Sequence, residues 1–281
     1  MVVLRPMAWK MIAVVHIQKT AGTTLASVLK RSFGARHCDV HPEDPAAPFF
    51  SAADRTSMRW LYPRLDSILG HGVRVYSDLD TVEPDIHYVT ALREPVLRTA
   101  SHYQYDVQVG GLDIPFEEWA AHDRVANRQC RVIGGPGADA STAIDLLPRF
   151  SFVARSDRFD ESLVMMRRAF RLPSIRYAAK WVAPSNDIKK RLLSDPASLE
   201  ILREINREDL ALWEHVDHEV YPKQVAELGP GIEAETVWFT RANQRTTKAT
   251  MYGHPRYIAY VAKWRGLYRP WVRRQRGGVP V

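Results

Sequence analysis

Ala13 to Phe33 reads AVVHIQKTAGTTLASVLKRSF, and the fold follows from it. Ala13, Val14, Val15 and Ile17 form a short, nearly continuous apolar run, the kind that fills a strand buried on both faces of a parallel sheet. From Thr24 the period changes: Leu25, Val28 and Leu29 recur at i, i+3 and i+4 as one helical stripe, and Gly34 follows as a stop. Between strand and helix lie Gln18, Lys19, Thr20, Ala21, Gly22 and Thr23. Small residues at a helix start let unpaired backbone N–H groups turn inward, where they and the helix dipole favour an anion. Lys19 adds a full charge, and Thr20, Thr23 and Thr24 add hydroxyls. The segment has the makings of a phosphate cradle; an ordinary strand-turn-helix with a solvated lysine is the plain alternative. It is not a Walker A loop, in which Lys and Ser/Thr follow a second glycine, because Lys19 precedes the segment's single glycine, Gly22.

The chain has 281 residues, 46% hydrophobic and 25% charged, which suits a globular protein with a large core. Its prolines and glycines are scattered, and no repeat or low-complexity segment divides it. The expected organisation is one domain over 1–253 and a basic aromatic tail over 254–281. Lys10, His16 and Lys19 interrupt the early apolar run, leaving it too short for a membrane span or a signal-peptide core, so a cytoplasmic protein is expected. Cys38 and Cys130 alone supply neither a disulfide framework nor a thiolate zinc site. The net charge is +7, and seven Lys or Arg with no Asp or Glu lie between His254 and Val281, so the basicity belongs to the tail.

Two further strand ends carry polar residues. Ile68 and Leu69 read as a short strand ending in Gly70-His71-Gly72, which exposes a histidine beyond the sheet's carboxyl edge. His87 to Leu92 reads as another, followed by Arg93-Glu94-Pro95 and a helix from Val96 to about Val107. Arg93 and Ser101 are spaced to reach one anion together; a salt-bridged arginine and a surface serine is the alternative.

The series HIQKTAGTT, ILGHG, ALREPVLRTASHY and NRQCRVIG, with Phe159 to Arg168 and Ile205 to Glu214 after it, resembles in content and order carbohydrate sulfotransferases of the heparan sulfate 2-O-sulfotransferase-like family over residues 12 to 222. Gln18 stands where that family commonly has Pro, Thr24 where Ser is common and Cys130 where Thr is usual. The resemblance implies transfer of a sulfuryl group from 3′-phosphoadenosine 5′-phosphosulfate (PAPS) to an acceptor hydroxyl, with no metal. Lys19 and the amides of Thr20, Ala21, Gly22, Thr23 and Thr24 would hold the 5′-phosphosulfate. Arg93 and Ser101 would hold the 3′-phosphate. His71 would take the acceptor's proton and Lys19 would offset charge on the leaving oxygen. A glycan or glycolipid is the implied acceptor, and no nucleic acid is expected. A P-loop nucleotide kinase and a non-catalytic polyanion binder stay open as other classes.

The fold expected is α/β, with a P-loop-like, mainly parallel sheet of four or five strands (12–17, 38–40, 67–70, 87–92 and 150–154), helices on both faces and a largely helical C-terminal half. A helix is expected near Asp54 to Tyr62, and one or two amphipathic helices over Pro196 to Leu228. Trp213, Trp238, Trp264 and Trp271 are candidates for a sugar site, with core packing as the alternative. In the tail, Tyr257, Tyr260, Trp264, Tyr268 and Trp271 interleave with cations between Pro255 and Pro270, which resembles an anchor at an anionic membrane. It would equally suit an acidic glycan, or a terminal helix packed on the body. Deleting residues 263–281 is expected to leave nucleotide affinity intact, because both anion cradles precede it.

Overall fold

A computed structural model of the chain describes residues 11–178 and 185–281; Lys10, one of the residues breaking the early apolar run, lies outside them. Five strands, β1 (Ile12–Val15), β2 (His37–Asp39), β3 (Ser67–Gly70), β4 (His87–Leu92) and β5 (Phe150–Arg155), form one sheet in the order β2-β3-β1-β4-β5. Every pairing is parallel. The chain moves from β1 out to β2, returns to β3 beside β1, and then crosses to β4 on the far side. Strand order therefore reverses at β1, which opens a crevice at the carboxyl ends of β3, β1 and β4.

Side-chain alternation along β1 feeds two cores. Ala13 and Val15 join Ile68, Tyr88, Met58, Tyr62 and Leu212 on one face. Ile12 and Val14 join Leu69 and Val89 on the other, under Leu25, Val28 and Leu29 of α1 (Gly22–Phe33). A further helix, Phe159–Phe170, closes that layer with Leu163, Met165 and Met166, all completely buried.

The remaining elements refine the expected plan. The helix foreseen near Asp54 to Tyr62 is Ala52–Ser57, because Ser51 and Asp54 form a capping box that starts it early. Over Pro196 to Leu228 two amphipathic rods form, as expected: Pro196–Glu204, and Arg207–His215 running through a π-helical turn over Val216–Val220 into Tyr221–Leu228. Asn206 ends the first by turning its side chain onto the Leu202 carbonyl (2.7 Å) and the Thr99 hydroxyl (2.9 Å).

The C-terminal segment is one rod, Pro255–Lys263 and Arg269–Gln275 joined by a π-helical turn over Trp264–Tyr268. Pro270 therefore does not end the helix. It sits in the first turn after the wide turn, where its missing N–H is least needed. Tyr257, Tyr260, Tyr268 and Val272 are buried against the body. Tyr260 donates its hydroxyl to the Asp39 carboxylate at 2.7 Å, Trp264 donates its indole N–H to the Asp39 carbonyl at 2.9 Å, and Lys30 pairs with the same carboxylate at 2.5 Å. Burial opposes the charge on Asp39, but Lys30 and His37 overcome it and hold the carboxyl well below its usual range. The rings expected at an interface are thus core residues, and the segment cannot be removed without opening that core. No helix among the described residues is long and apolar enough to cross a membrane.

Candidate active site

Register decides what meets at the carboxyl edge. Val15 pairs with Gly70 on one side and Thr90 on the other, so the next residues, His16 and His71, leave neighbouring strands at the same level. Their rings stack, with centroids 4.1 Å apart and planes 19° from parallel. Nδ1 of His71 lies 3.2 Å from the His16 carbonyl oxygen. A carbonyl can only accept, so Nδ1 carries the hydrogen and Nε2 keeps its lone pair. Burial lowers the His71 pKa, the carbonyl bond partly restores it, and the Arg128 and Arg74 charges lower it again. Burial, then the neighbouring His71, lowers His16 to about 3, so His16 stays neutral. It was expected inside the strand; it lies one residue beyond it and faces the cleft.

The turn after β1 is held in an unusual shape. Lys19 and Ala21 both adopt left-handed backbone with φ 68°, a conformation non-glycine residues keep only when neighbours impose it. Thr20 is buried and donates its hydroxyl to the Ile17 carbonyl at 2.9 Å, and Arg93 Nη1 donates to the Lys19 carbonyl at 3.1 Å. Gly22 opens α1 directly beneath the His16 ring, where a Cβ would overlap the imidazole. No side chain caps this helix N-terminus. The second candidate helix start differs. Glu94 caps Pro95–Gln108 with its own carboxylate, accepting from the Val96 and Leu97 N–H groups at 3.1 and 2.7 Å, so an anion there must be met by side chains.

One cleft of about 580 Å³ gathers these groups. Lys19, Ala21, Gly22, Thr23, Thr24, His71, Arg93 and Ser101 all line it. Thr20 does not line it, its hydroxyl being spent within the turn. Lys19 Nζ rests 4.3 Å over the Tyr105 ring, and burial, then the Arg93 charge, lowers its pKa. Sequence reading missed Tyr105, although Leu97, Ser101 and Tyr105 follow at intervals of four and so share one helix face. His102 also lines the cleft; burial first, then Arg98, lowers it to about 4 despite Asp106 at 3.7 Å. His87 begins β4, at the opposite end of the sheet, bonded to the Ser151 hydroxyl at 2.7 Å. None of the four tryptophans considered for a sugar site lines the cleft.

The segments Asn127 to Gly134 and Ile205 to Glu214 stand behind this site. Gln129 clamps Arg93 at its backbone, accepting from the Arg93 N–H (3.0 Å) and donating to its carbonyl (2.9 Å). The Asp209 carboxylate accepts from the Gln129 and Cys130 N–H groups at 2.9 and 2.8 Å, capping the helix on which Gln129 sits. Asn127 returns the favour by accepting from the Glu208 N–H at 3.0 Å. Gln18, the departure from proline, accepts from Arg128 Nε at 3.2 Å.

No protein-family model matches the sequence, and no curated protein matches it. Among solved structures, the crystal structure of a sulfotransferase from Alicyclobacillus acidocaldarius is similar, with a TM-score of 0.41 and 15% identity over 74% of this chain and 100% of that one.

Proposed function

We propose that the chain is a sulfotransferase moving a sulfuryl group from PAPS to a hydroxyl of a glycan or glycolipid. The observation that carries this reading is the meeting, in one cleft, of an uncapped helix start with Lys19, the Arg93–Ser101 pair, and a histidine whose Nε2 is free to accept a proton. Two anionic groups joined by a nucleoside need two separate sets of donors, and the cleft offers two. When bound, PAPS supplies an activated sulfuryl group on a phosphate leaving group.

The chain's own residues do the rest by position and charge, as in phosphoryl transfer. The α1 start and Lys19 meet the 5′ anion, and Lys19 offsets charge on the leaving oxygen. Arg93 suits the 3′-phosphate because its planar fork binds oxygens in pairs. Nε2 of His71 takes the acceptor proton. Tyr105 holds Lys19 at the wall by a cation–π contact.

Titration calorimetry with adenosine 3′,5′-bisphosphate against ATP plus magnesium tests the reading: tight binding of the bisphosphate alone is expected, and preference for ATP would make the chain a kinase instead. Lys19→Ala is expected to lower turnover about 10²–10³-fold at saturating PAPS, the usual cost of one preorganised charge donor. Near-normal turnover would remove this loop from the chemistry. Ser101→Ala is expected to weaken the bisphosphate by up to roughly tenfold and spare a nucleotide lacking the 3′-phosphate. Arg93→Ala is expected to weaken both, since it also frees the Lys19 carbonyl.

Gly22→Ala tests the stack. The added methyl displaces the His16 ring and with it the support of His71, so a loss of roughly 10²-fold in turnover is expected. A variant with unaltered turnover would show that the stacked pair is not needed.

A further inference from the structure

The outward face of the C-terminal rod carries four guanidinium groups that the fold leaves unpaired with acid. Of the seven cations after residue 253, three are engaged on the body. Arg256 donates to the Ser32 carbonyl (3.0 Å), Arg276 donates to the Pro42 carbonyl (2.7 Å), and Lys263 stands 4.0 Å over the Tyr62 ring. Arg265, Arg269, Arg273 and Arg274 are exposed and border one open groove of about 530 Å³. Arg269 lies 5.9 Å over Trp264 and Arg273 gives one N–H to the Gly278 carbonyl, but none of the four meets a carboxylate among the described residues. No Asp or Glu follows Glu235 in the sequence, so the field of this face is uncompensated nearby. Ile258, Ala262, Arg265, Arg269 and Arg273 fall on one stripe, opposite the buried stripe of Tyr257, Tyr260, Tyr268 and Val272.

Large apolar side chains stand exposed on and beside the same rod. Ile258 and Leu267 are each 54% exposed, and Trp60, 69% exposed, lies edge-on to Trp271 at 6.5 Å. A soluble polyanion would need only the cations. Apolar groups held out in water among cations match a surface with anionic headgroups over an acyl boundary. We infer that this face docks the protein on an anionic phospholipid membrane, with the four arginines on the headgroups and Trp60, Ile258 and Leu267 at the acyl boundary. The inference is independent of the transfer reaction.

Co-sedimentation of the full chain tests it, using vesicles of phosphatidylcholine alone or with about a quarter phosphatidylserine. Binding is expected only to the anionic vesicles and is expected to fall as salt rises. Each arginine is worth roughly fivefold in partition, so Arg265→Gln, Arg269→Gln, Arg273→Gln and Arg274→Gln together should lose roughly several hundredfold. Trp60→Ala with Leu267→Ala should weaken binding about tenfold or more at unchanged charge, and a blue shift of the chain's tryptophan emission on vesicles should shrink with Trp60→Ala. All substituted residues are exposed, so thermal melts should match the parent. Absence of binding to anionic vesicles would overturn the inference. So would vesicle binding insensitive to Trp60→Ala with Leu267→Ala, or heparin binding that anionic vesicles fail to compete, since either result makes the face a site for soluble polyanions.

Discussion

His71→Ala is expected to lower transfer about 10²–10⁴-fold, the range for loss of a general base, while adenosine 3′,5′-bisphosphate still binds. The tautomer decides this. With Nδ1–H tied to the His16 carbonyl, Nε2 is a proton acceptor already aimed by the stack, and alanine leaves nothing in its place. Neutral imidazole is the working form. Burial depresses the His71 pKa, so the neutral form persists to lower pH than for free imidazole, and the acid limb of kcat/KM is expected below about 6.5. That limb should vanish with the residue. His102, lowered to about 4, is the rival that lines the same cleft, but its Nε2 faces Asp106. An inactive His102→Ala beside an active His71→Ala would transfer the role of base to His102.

The parallel fold and the ranges of its strands were legible because they rest on local patterns, whereas the order of the strands in the sheet was not. Buried parallel strands need continuous apolar runs, so the ranges 67–70 and 87–92 coincide with β3 and β4, and the polar residues just past them had to lie at the sheet's carboxyl edge. The stacked histidines were not legible, because they depend on the pairing of Val15 with Gly70, a register no residue in either segment announces. Nor was the role of Glu94, which reads as polar filler in sequence and takes up the helix N-terminus in space. In the C-terminal rod the packed terminal helix, one of three alternatives open in the sequence, is the one that describes the rings. Tyr257, Tyr260, Trp264, Tyr268 and Trp271 follow at intervals of three and four, one inward stripe, and taking the rings together with the cations as a mixed surface hid that period.

Deletion of residues 263–281 is expected to cost the protein its fold, and nucleotide binding with it. Tyr268 and Val272 are completely buried beside Tyr62, Met58 and Val40, and Trp264 and Trp271 pack against the same core. Burying one such side chain contributes roughly 1.5–3 kcal/mol, so these four account for roughly 5–10 kcal/mol, close to the whole stability of an ordinary domain. The damage also reaches the site. The Tyr268 hydroxyl accepts from the His41 N–H at 3.1 Å, and Pro42 packs against Gly72, next to His71. Circular dichroism and size exclusion should find the truncated chain unfolded or aggregated. Two point variants separate packing from polarity at the same position: Tyr268→Ala is expected to cost about 3–5 kcal/mol, whereas Tyr268→Phe keeps the ring and loses the hydroxyl's bonds to the His41 N–H and carbonyl, worth about 0.5–1.5 kcal/mol each. A truncated chain that melts like the full one and binds the bisphosphate equally would mean that the rod lies on a core already complete without it.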